Sequence, residues 1–487
     1  MHENLNCDSL AKLHNQSYSK ITDYYTELTD SMRNIRKDVL SVILEAKNID
    51  VFKTSFIGPQ RIGHSSLDPL PKTSSILDVG CATGDNLTLM QEIGFKQLTG
   101  LDVAVEMVTK AKGKLNIEFI CEDFFQYKLL NKYDLVFAQA FVHLFPKKML
   151  KKVLLRLLAI SNRRVYFSTT IHETPNEGIE AKRDVTRYRS RYTLPEILKT
   201  IKEILDDDPN LSFHYFFLTD PLGKFWINAV FERHDIVQMM EADGVLLYKQ
   251  FESIEQIDLI LPEIDTLRAV KPEVGTILRY DSINVFDRVE NIFPYCSKDL
   301  KNILYSTKVH KIVSMLMQED AVLLKDKINY KLPGSGEFVP HQDAAAGWGE
   351  YGNKQLTFAL SFDEANLENG ALYFACGAHK KGLLSPLQTP LSDDIVNNLH
   401  WDAVLMNPGD ALFFNALAPH FSKPNTSDKP RRMAFLTYNS AKFGDHRESF
   451  FIKKRKRQPP IDERNSDAEM IRDPFGKLIY KQKVFYE

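Results

Sequence analysis

Apolar runs of four to seven residues alternate with amphipathic segments through residues 74–170. Each run ends in small or polar turn residues, as a buried strand does, whereas the intervening segments repeat apolar residues every three or four positions, as a helix does. Strands that alternate with helices form a parallel sheet, which binds its ligands at the carboxyl ends of the strands. The strands predicted in this way are residues 76–79, 98–102, 117–121, 133–138 and 164–170.

The same domain gains elements on both sides of this sheet. Residues 8–49 carry apolar and aromatic side chains at helical spacing, so we expect a helical cap. A later helix is predicted from Leu194 with Thr193 as its N-cap. Two further strands, residues 212–218 and 224–231, complete an α/β doubly wound, Rossmann-like domain that we place at residues 1–233.

A second domain is expected over residues 234–487, because a helix, an Asp-Gly turn and a strand follow at once in residues 235–247. Two domains suit a chain of 487 residues, since single hydrophobic cores stop growing at roughly 250–300 residues. Hydrophobic residues make up 44% of the chain and charged residues 26%. This balance is that of an ordinary globular protein able to bury sizeable cores.

The net charge of −2 gives no broad attraction to nucleic acid or to an anionic membrane. A local exception is the basic run at residues 453–457, which is either an anion-binding or nuclear-import segment or a solvated surface. Five cysteines lack Cys-x-x-Cys spacing, which indicates a reducing compartment. The start of the chain lacks a secretory pattern and no long uncharged apolar run occurs, so we expect a soluble, cytoplasmic protein.

The first predicted strand runs into a turn of small residues at positions 80–84, and a helix follows. Small residues let the backbone approach a bound ligand closely. The second strand ends at Asp102, and an acid in that position can accept hydrogen bonds from both ribose hydroxyls of a nucleoside. No Lys-Ser/Thr pair follows Gly84, which argues against a phosphate-cradling loop.

The block from Asp78 to Gly84 resembles the first motif of class I S-adenosylmethionine-dependent methyltransferases, with Ala82 in place of the middle glycine. The resemblance covers residues 15–233 and implies S-adenosyl-L-methionine as cofactor. It implies that Gly80, Ala82 and Gly84 shape the cofactor turn. By the same resemblance, the remaining cofactor contacts come from three acids, near the methionine portion, the ribose and the adenine amino group respectively: Asp78, Asp102 and Asp123.

A catalytic base for methyl transfer is harder to assign. His143 lies just past the fourth strand and is the candidate, because imidazole accepts a proton near neutral pH. The alternative is a histidine that caps or packs the turn in which it lies. The basic, tyrosine-bearing segment at residues 180–193 either faces an acidic substrate or forms a solvated loop before the next helix.

In the second domain, His341 and Asp343 are two residues apart, and on an extended strand such residues point to the same side. An imidazole and a carboxylate that converge are two members of the 2-His-1-carboxylate triad of non-haem Fe(II) sites. His420 can supply the third ligand, because it ends an apolar strand that follows a Pro-Gly-Asp turn at residues 408–410. Arg431 can hold a dicarboxylate through a bidentate fork.

This ordered set resembles the phytanoyl-CoA dioxygenase family of Fe(II)/2-oxoglutarate oxygenases, over residues 235–487. The resemblance implies a mostly β, double-stranded β-helix (jelly-roll) domain that uses Fe(II), 2-oxoglutarate and O2. It implies that the iron ligands are His341, Asp343 and His420. Arg431 would bind the distal carboxylate of 2-oxoglutarate, with Arg432 as the alternative if the strand register shifts by one. Further cosubstrate contacts are implied at Asn329 and Ser422, and Lys327, Gln342 and Trp348 are expected to line the pocket.

Together the two halves predict a bifunctional tailoring enzyme of a natural-product pathway. One half would methylate a small molecule on N or O, and the other would hydroxylate or otherwise oxidise the same or a sequential substrate. The sequence leaves two alternatives open, a modifier of a protein side chain or nucleic acid, and an oxygenase whose other half is a non-catalytic cofactor-binding scaffold. The substrate, the order of the reactions and the oligomeric state stay open.

Overall fold

The computed structural model describes residues 7–18, 30–47, 55–128, 131–182, 185–269, 278–282, 285–457, 459, 470–472 and 478–480. The chain forms two compact units. The first comprises Met1–Phe56 and Ser65–His234, and the second comprises Ile57–His64 and Asp235–Glu487. The short segment Ile57–His64 thus belongs to the second unit although the first unit follows it in the chain, which a linear division near residue 233 does not anticipate.

The helices are α1 Cys7–Tyr18, α2 Asp30–Glu45, α3 Asp85–Ile93, α4 Val105–Lys114, α5 Leu150–Ile160, α6 Leu194–Asp207, α7 Ile236–Asp243, α8 Ile254–Ala269, α9 Lys298–Leu304, α10 Thr307–Met317, α11 Asp393–Asn397 and α12 Arg447–Arg457. The strands are β1 Ser55–Gln60, β2 Ser75–Val79, β3 Gln97–Asp102, β4 Glu118–Cys121, β5 Tyr133–Ala138, β6 Ser161–Thr170, β7 Asn176–Lys182, β8 Val185–Arg191, β9 Leu211–Thr219, β10 Phe225–Arg233, β11 Val245–Lys249, β12 Leu278–Ser282, β13 Val285–Glu290, β14 Ala321–Lys331, β15 Phe338–His341, β16 Gln355–Ser361, β17 Leu372–Phe374, β18 Asp402–Val404, β19 Ala411–Asn415, β20 His420–Ser422, β21 Arg431–Ser440, β22 Met470–Arg472 and β23 Leu478–Tyr480. Among the described residues, no helix is both long and apolar enough to cross a membrane.

The first unit is built on a sheet with the strand order β4-β3-β2-β5-β6-β10-β9. The pairings β3–β4, β2–β3, β2–β5 and β5–β6 are parallel, whereas β10 is antiparallel to both β6 and β9. The carboxyl ends of the parallel strands therefore meet at one edge, where the order reverses on either side of β2. The predicted α/β doubly wound fold is confirmed.

The elements around this sheet differ in detail from the predictions. The expected helical cap is divided into α1 and α2, and its middle, residues 19–29, lies outside the described residues. Helix α6 begins as predicted, with the Thr193 N–H donating to the Glu196 carboxylate at 2.8 Å in a capping box. The basic segment around residue 185 is the antiparallel hairpin β7–β8 and not a loop.

The second unit contains a large sheet with the order β12-β13-β14-β21-β16-β19-β11-β1 and a small sheet with the order β15-β20-β17-β18. Side chains on neighbouring positions of the large sheet face opposite cores. In β19, Phe413 packs with helices α7–α10 on the outer side, whereas Leu412 and Phe414 join residues of the small sheet, including Phe374. This period-2 alternation produces the predicted jelly roll, with helices covering the outer face.

The Pro-Gly-Asp turn fixes the start of β19. Gly409 has φ +87°, and a Cβ atom there would overlap the carbonyl oxygen of Glu252, so only glycine fits. The buried Asp410 carboxylate accepts hydrogen bonds from the backbone N–H groups of Asn407 and Gln250, both at 2.8 Å, and pairs with Lys249 at 2.7 Å. The turn thereby sets the register of the strand that leads to His420.

Candidate active sites

Two neighbouring strands of the small sheet bring the predicted metal ligands together. His341 ends β15 and lies directly opposite His420 in the first position of β20. Asp343 is not on the strand, as the His-x-Asp spacing predicted, but begins the 3₁₀ turn Asp343–Ala346 that follows it. One ligand atom from each of the three side chains lies within 4.8 Å of the others.

Hydrogen bonds orient both imidazoles toward this point. Nδ1 of His341 lies 2.7 Å from the Val339 carbonyl oxygen, and Nδ1 of His420 lies 3.0 Å from the Ala418 carbonyl oxygen. Since a carbonyl only accepts, each Nδ1 carries the proton, and each Nε2 is the ring nitrogen able to bind a metal. This arrangement is the usual support of histidine ligands in metal sites.

The charges of the triad suit metal binding as well. Burial lowers the pKa of His420, against the opposing effect of Asp343, so its ring is neutral near pH 7. Burial would raise the pKa of Asp343, but the charge of Lys325 and then the two imidazoles outweigh it and hold that pKa below the usual range. Two imidazoles and one carboxylate are the donor set that suits Fe(II) with positions left open, so the residues present fit this ion.

Arg431 and Arg432 have opposite environments. Arg431 is 1% exposed and lines the triad's cavity, its Nη1 lies 2.8 Å from Met433 Sδ, and its Nε has no hydrogen-bond partner among the described residues. Burial lowers the pKa of Arg431 to about 10. Arg432 instead forms a bidentate pair with Asp363, at 2.7 and 2.9 Å, and contacts Asp265 at 3.0 Å. Arg431 is therefore the arginine with capacity for a dicarboxylate ligand.

The two weaker cosubstrate candidates also differ. Asn329 is buried, lines the cavity, and has an Oδ1 atom without a hydrogen-bond partner among the described residues. Ser422 is fully buried and does not line the cavity, since its hydroxyl accepts a hydrogen bond from Lys331 Nζ at 3.0 Å. The structure places Asn329 with the triad and Arg431, and it separates Ser422 from them.

The cavity around the triad has a volume of about 390 Å³ and a strongly basic wall. The expected pocket residues Lys327, Gln342 and Trp348 line it. Further basic residues line it as well, among them three from the C-terminal basic run, which lies on α12: Arg288, Lys325, Lys453, Lys454 and Arg457. The run is thus helical and not a loop, and Lys453, Lys456 and Arg457 are exposed, as expected for a solvated surface.

The first unit holds a separate cavity of about 260 Å³ at the carboxyl ends of its parallel strands. Four of the residues predicted to bind the methyltransferase cofactor line it: Gly80, Ala82, Asp102 and Asp123. Gly80 and Gly84 have φ of +73° and +79°, and Ala82 shares this left-handed conformation at +47°. A Cβ atom on Gly80 would lie 2.8 Å from the Phe141 ring, so glycine is required there.

Acidic side chains dominate this second cavity. The Asp102 carboxylate accepts backbone hydrogen bonds from Ala82 and Ala104, both at 2.9 Å, which fix its orientation at the end of β3. Burial raises the pKa of Asp102, and burial raises that of Asp78 to about 8, since Arg36 offsets only part of the effect. Asp78 does not line the cavity, and its buried Oδ2 has no hydrogen-bond partner among the described residues.

His143, the candidate base, also does not line this cavity, although Gln139, Phe141 and Leu144 around it do. Its side chain is 5% exposed, and burial together with Arg189 and Arg187 lowers its pKa well below the ordinary value. A histidine with such a pKa is a weak proton acceptor at neutral pH. The geometry therefore favours the packing alternative for His143.

Comparison with known proteins gives the same division of the chain. The family model of the phytanoyl-CoA dioxygenases matches residues 240–433, and a model of a methyltransferase domain matches residues 76–161. The 2-aminoethylphosphonate dioxygenase of an uncultured bacterium is 40% identical over 179 residues, which are 36% of this chain and 68% of that protein. The chain belongs to the phytanoyl-CoA dioxygenase family.

A second relative within this family, the methylphosphonate hydroxylase of Gimesia maris, is also 40% identical, over 164 residues, 34% of this chain and 62% of that protein. The chain thus spans less than two thirds of that relative's length. Among solved structures, EvdMO1 has a TM-score of 0.38 and 16% identity, covering 85% of this chain and all of that one. EctD from S. alaskensis, with 2-oxoglutarate and 5-hydroxyectoine, has a TM-score of 0.38 and 18% identity, covering 42% and 76%. Scores this low establish no shared function.

Sequence reasoning about this dioxygenase-family unit missed two of its cavity residues, Lys325 and Arg288. They lie on β14 and β13, well before the His-x-Asp motif. The sequence did contain a signal, the polar residues Lys325, Lys327 and Asn329 at alternate positions of one strand. Such residues share one face of the strand, and lysines are seldom buried without a function or a partner.

Proposed function

We propose that the protein is a bifunctional enzyme that methylates a small molecule with S-adenosylmethionine and oxidises the same or a sequential substrate with Fe(II), 2-oxoglutarate and O2. One observation carries the proposal. In a single cavity, His341, Asp343 and His420 converge within 4.8 Å of one another beside Arg431, a buried guanidinium with no carboxylate within 4 Å among the described residues.

In the oxygenase unit, the overall change is the conversion of substrate C–H, 2-oxoglutarate and O2 into C–OH, succinate and CO2. Iron supplies the activation of O2 and the coupled decarboxylation of the cosubstrate. His341 and His420 would hold the iron through Nε2, and Asp343 would supply its carboxylate. Arg431 binds the distal carboxylate of 2-oxoglutarate, which orients the other end toward the triad, and Asn329 adds a polar contact inside the same cavity.

In the first unit, bound S-adenosylmethionine would supply an electrophilic methyl group to an N or O atom of the substrate, leaving S-adenosylhomocysteine and a proton. Asp102 accepts hydrogen bonds from the ribose, and Asp123 lies at the adenine end. The turn at Gly80 and Ala82 gives the cofactor close access to the backbone. The acids that line the cavity, Asp102 and Asp123 among them, favour a cationic cofactor, so catalysis rests mainly on positioning and charge.

We extend the proposal to a small organophosphonate as the substrate of the oxygenase unit. Two relatives at 40% identity are named for the oxidation of methylphosphonate and of 2-aminoethylphosphonate. The basic wall of the cavity supports this choice, because a phosphonate carries up to two negative charges near neutral pH. Methylation on the same scaffold then accounts for the presence of both activities on one chain.

The test is an anaerobic titration of the purified full-length protein with Fe(II) and 2-oxoglutarate, followed through the weak visible charge-transfer band of the ternary complex. We expect the band in the wild type and its loss in the His341→Ala and Asp343→Ala variants. Calorimetry with S-adenosylmethionine should show binding that weakens about tenfold or more in Asp102→Asn, the scale of a hydrogen bond to a charged group. An iron-loaded wild type without the band would contradict the oxygenase assignment.

A further inference from the structure

Two lysines of β14 face the oxygenase cavity from alternate positions of the same strand. Lys325 and Lys327 both line the cavity, as does Asn329 two residues further on, which is the spacing of one strand face. The strand has a register shift between Leu323 and Lys325, and beyond it the pairing with β21 is regular, with Lys325 opposite Thr437. The lysines are therefore held by the sheet and do not belong to a loop.

The surroundings of these two ammonium groups are aromatic. Nζ of Lys325 lies 3.6 Å from the centre of the Trp348 ring, and Nζ of Lys327 lies 5.0 Å from the centre of the Phe435 ring. Among the described residues, neither group makes a hydrogen bond or lies within 4 Å of a carboxylate. Both side chains are partly buried, and burial lowers the pKa of each, against the attraction of Asp343.

Three other cations of the cavity wall have carboxylate partners, which the lysine pair lacks. Lys454 of α12 pairs with Glu290 at 2.6 Å, and Arg288 pairs with the same carboxylate at 2.5 Å. Lys453 pairs with Glu350 at 2.5 Å. Two adjacent, partly buried cations without a carboxylate partner are costly unless a ligand supplies the opposite charge.

Neither iron nor cosubstrate supplies this charge. The two positive charges of Fe(II) and the two negative charges of 2-oxoglutarate cancel when both are bound. Arg431 has its own partner in the distal carboxylate of the cosubstrate under the proposed function. Under the proposed function Asp343 would bind the iron, so its carboxylate would be engaged there. The lysine pair is thus left facing the part of the cavity in which the substrate must lie.

We propose that Lys325 and Lys327 form the binding site for a doubly charged phosphonate or phosphate group of the oxygenase substrate, with the basic end of α12 as its rim. This inference rests on the proposed function only in its statement that the bound molecule is the oxygenase substrate. The positive charge of the site follows from the two lysines alone. Two ammonium groups present several rotatable donors to the oxygens of a tetrahedral dianion, which suits a point-charge cation better than a planar guanidinium.

The experiment uses the full-length protein and the variants Lys325→Met and Lys327→Met, singly and together. Methionine keeps an apolar stem against the aromatic rings and removes the charge. The matched control is Lys423→Met, because Lys423 is exposed and also lies over an aromatic ring, that of Tyr373, at 5.3 Å. Calorimetry with Fe(II) and 2-oxoglutarate bound measures the affinity for methylphosphonate, for methyl phosphate and for acetate as the singly charged probe.

We expect each single substitution to weaken methylphosphonate binding by about tenfold or more, as expected for loss of a charge-assisted hydrogen bond, while Lys423→Met binds as the wild type. Comparison of methylphosphonate with methyl phosphate shows which of the two dianions the site prefers. Tighter binding of either one than of acetate supports the site. Acetate binding as tight as methylphosphonate would overturn it, as would wild-type phosphonate affinity in the double variant.

The charge-transfer band separates this inference from the proposed function. The lysine variants should keep the band and its 2-oxoglutarate dependence, because Arg431 and the triad are intact. Loss of 2-oxoglutarate binding in Lys325→Met or Lys327→Met, with unchanged phosphonate binding, would show that the pair holds the cosubstrate and would overturn the inference. Absence of the band in the wild type would overturn the proposed function, while the calorimetric result on the dianion would still stand.

Discussion

The two cavities of this protein differ in the sign of their buried charge. The oxygenase cavity collects cations that lack carboxylate partners, Lys325, Lys327 and Arg431, whereas the cavity of the first unit is lined by the acids Asp102 and Asp123. The proposed ligands have the opposite signs, a dicarboxylate and an anionic substrate in one and a sulfonium cofactor in the other. In the oxygenase cavity, the buried guanidinium of Arg431 without a carboxylate partner therefore indicates an anionic ligand, since a buried charge without a partner is costly.

The largest effect is expected from His420→Ala, which removes a metal ligand. Phosphonate-dependent succinate release should fall by more than about 100-fold, because even the loss of an outer partner of a metal ligand costs about 10- to 100-fold. The affinity for S-adenosylmethionine should be unchanged if the two cavities act through different residues.

A control for this variant is His400→Ala. His400 also pairs with an aspartate, Asp402 at 3.3 Å, but its side chain is 89% exposed and lies outside the triad. Its removal should leave succinate release at the wild-type level. Equal losses in the two histidine variants would mean that the triad is not the metal site.

The next largest effect is expected from the neighbouring arginines, which test whether a buried charge without a partner marks a ligand site. Arg431→Met should raise the KM for 2-oxoglutarate about tenfold or more without lowering the free energy of unfolding, because the native state then loses an unmatched buried charge. Arg432→Met should instead lower the free energy of unfolding by about 3 kcal/mol, since it breaks a largely buried pair with Asp363. Urea unfolding and steady-state kinetics are measured on both variants. A raised KM in Arg432→Met together with a loss of stability in Arg431→Met would assign 2-oxoglutarate binding to Arg432 instead.

A pH-dependent effect is expected at Asp78, which precedes the cofactor turn of the first unit. Burial raises the pKa of Asp78 from 3.8 to about 8, so the folded protein holds this proton more tightly than the unfolded chain. Stability from this group is complete in acid and is lost as the pH rises from about 4 to about 8, at up to about 1.4 kcal/mol per pH unit. Asp78→Asn should remove that part of the slope in urea unfolding between pH 5 and pH 8. Parallel slopes for variant and wild type would contradict the raised pKa.

The smallest effect concerns Ala82, the residue in the cofactor turn with φ +47°. Ala82→Gly should raise the free energy of unfolding by about 0.5 kcal/mol, because relief of about 1–2 kcal/mol of left-handed strain outweighs about 0.5–1 kcal/mol of added chain entropy. Ala111→Gly, in the middle of α4, should cost about 1 kcal/mol. Thermal unfolding of both variants checks the signs, and destabilisation by Ala82→Gly would show that the turn is not strained.

Much of the fold follows from local patterns. The parallel strands, the Thr193 cap and the Asp-Gly turn at Gly244 are each determined by residues close together in the chain. The structure contains all of them. The ligands His341, Asp343 and His420 were likewise proposed from ordered motifs, and the structure brings them together. Motifs of this kind can be recognised because each residue's role depends on residues close in the chain or in a fixed order.

The remainder depends on packing between distant segments. The choice between Arg431 and Arg432 depends on the position of Asp363, which pairs with Arg432. Lys454 lines the oxygenase cavity because helix α12 packs beside it, which the sequence does not indicate. The displacement of His143 from the first cavity depends on how its turn packs beneath the hairpin β7–β8. Such contacts join residues far apart in sequence, and no local pattern specifies them.

Strand β1 gives the chain an order of assembly. Gly58–Gln60 pair with β11, and Arg61 forms a bidentate pair with Asp243 at 2.5 and 2.7 Å, so the second unit needs residues made before the first unit's sheet. On a ribosome that adds about 5–20 residues per second, β1 exists for roughly 10–40 seconds before β11 emerges. The methyltransferase core thus behaves as an insertion in the oxygenase chain. A fragment that starts at Asp235 would lack this strand and present an open sheet edge, so the two activities cannot be separated by a single cut.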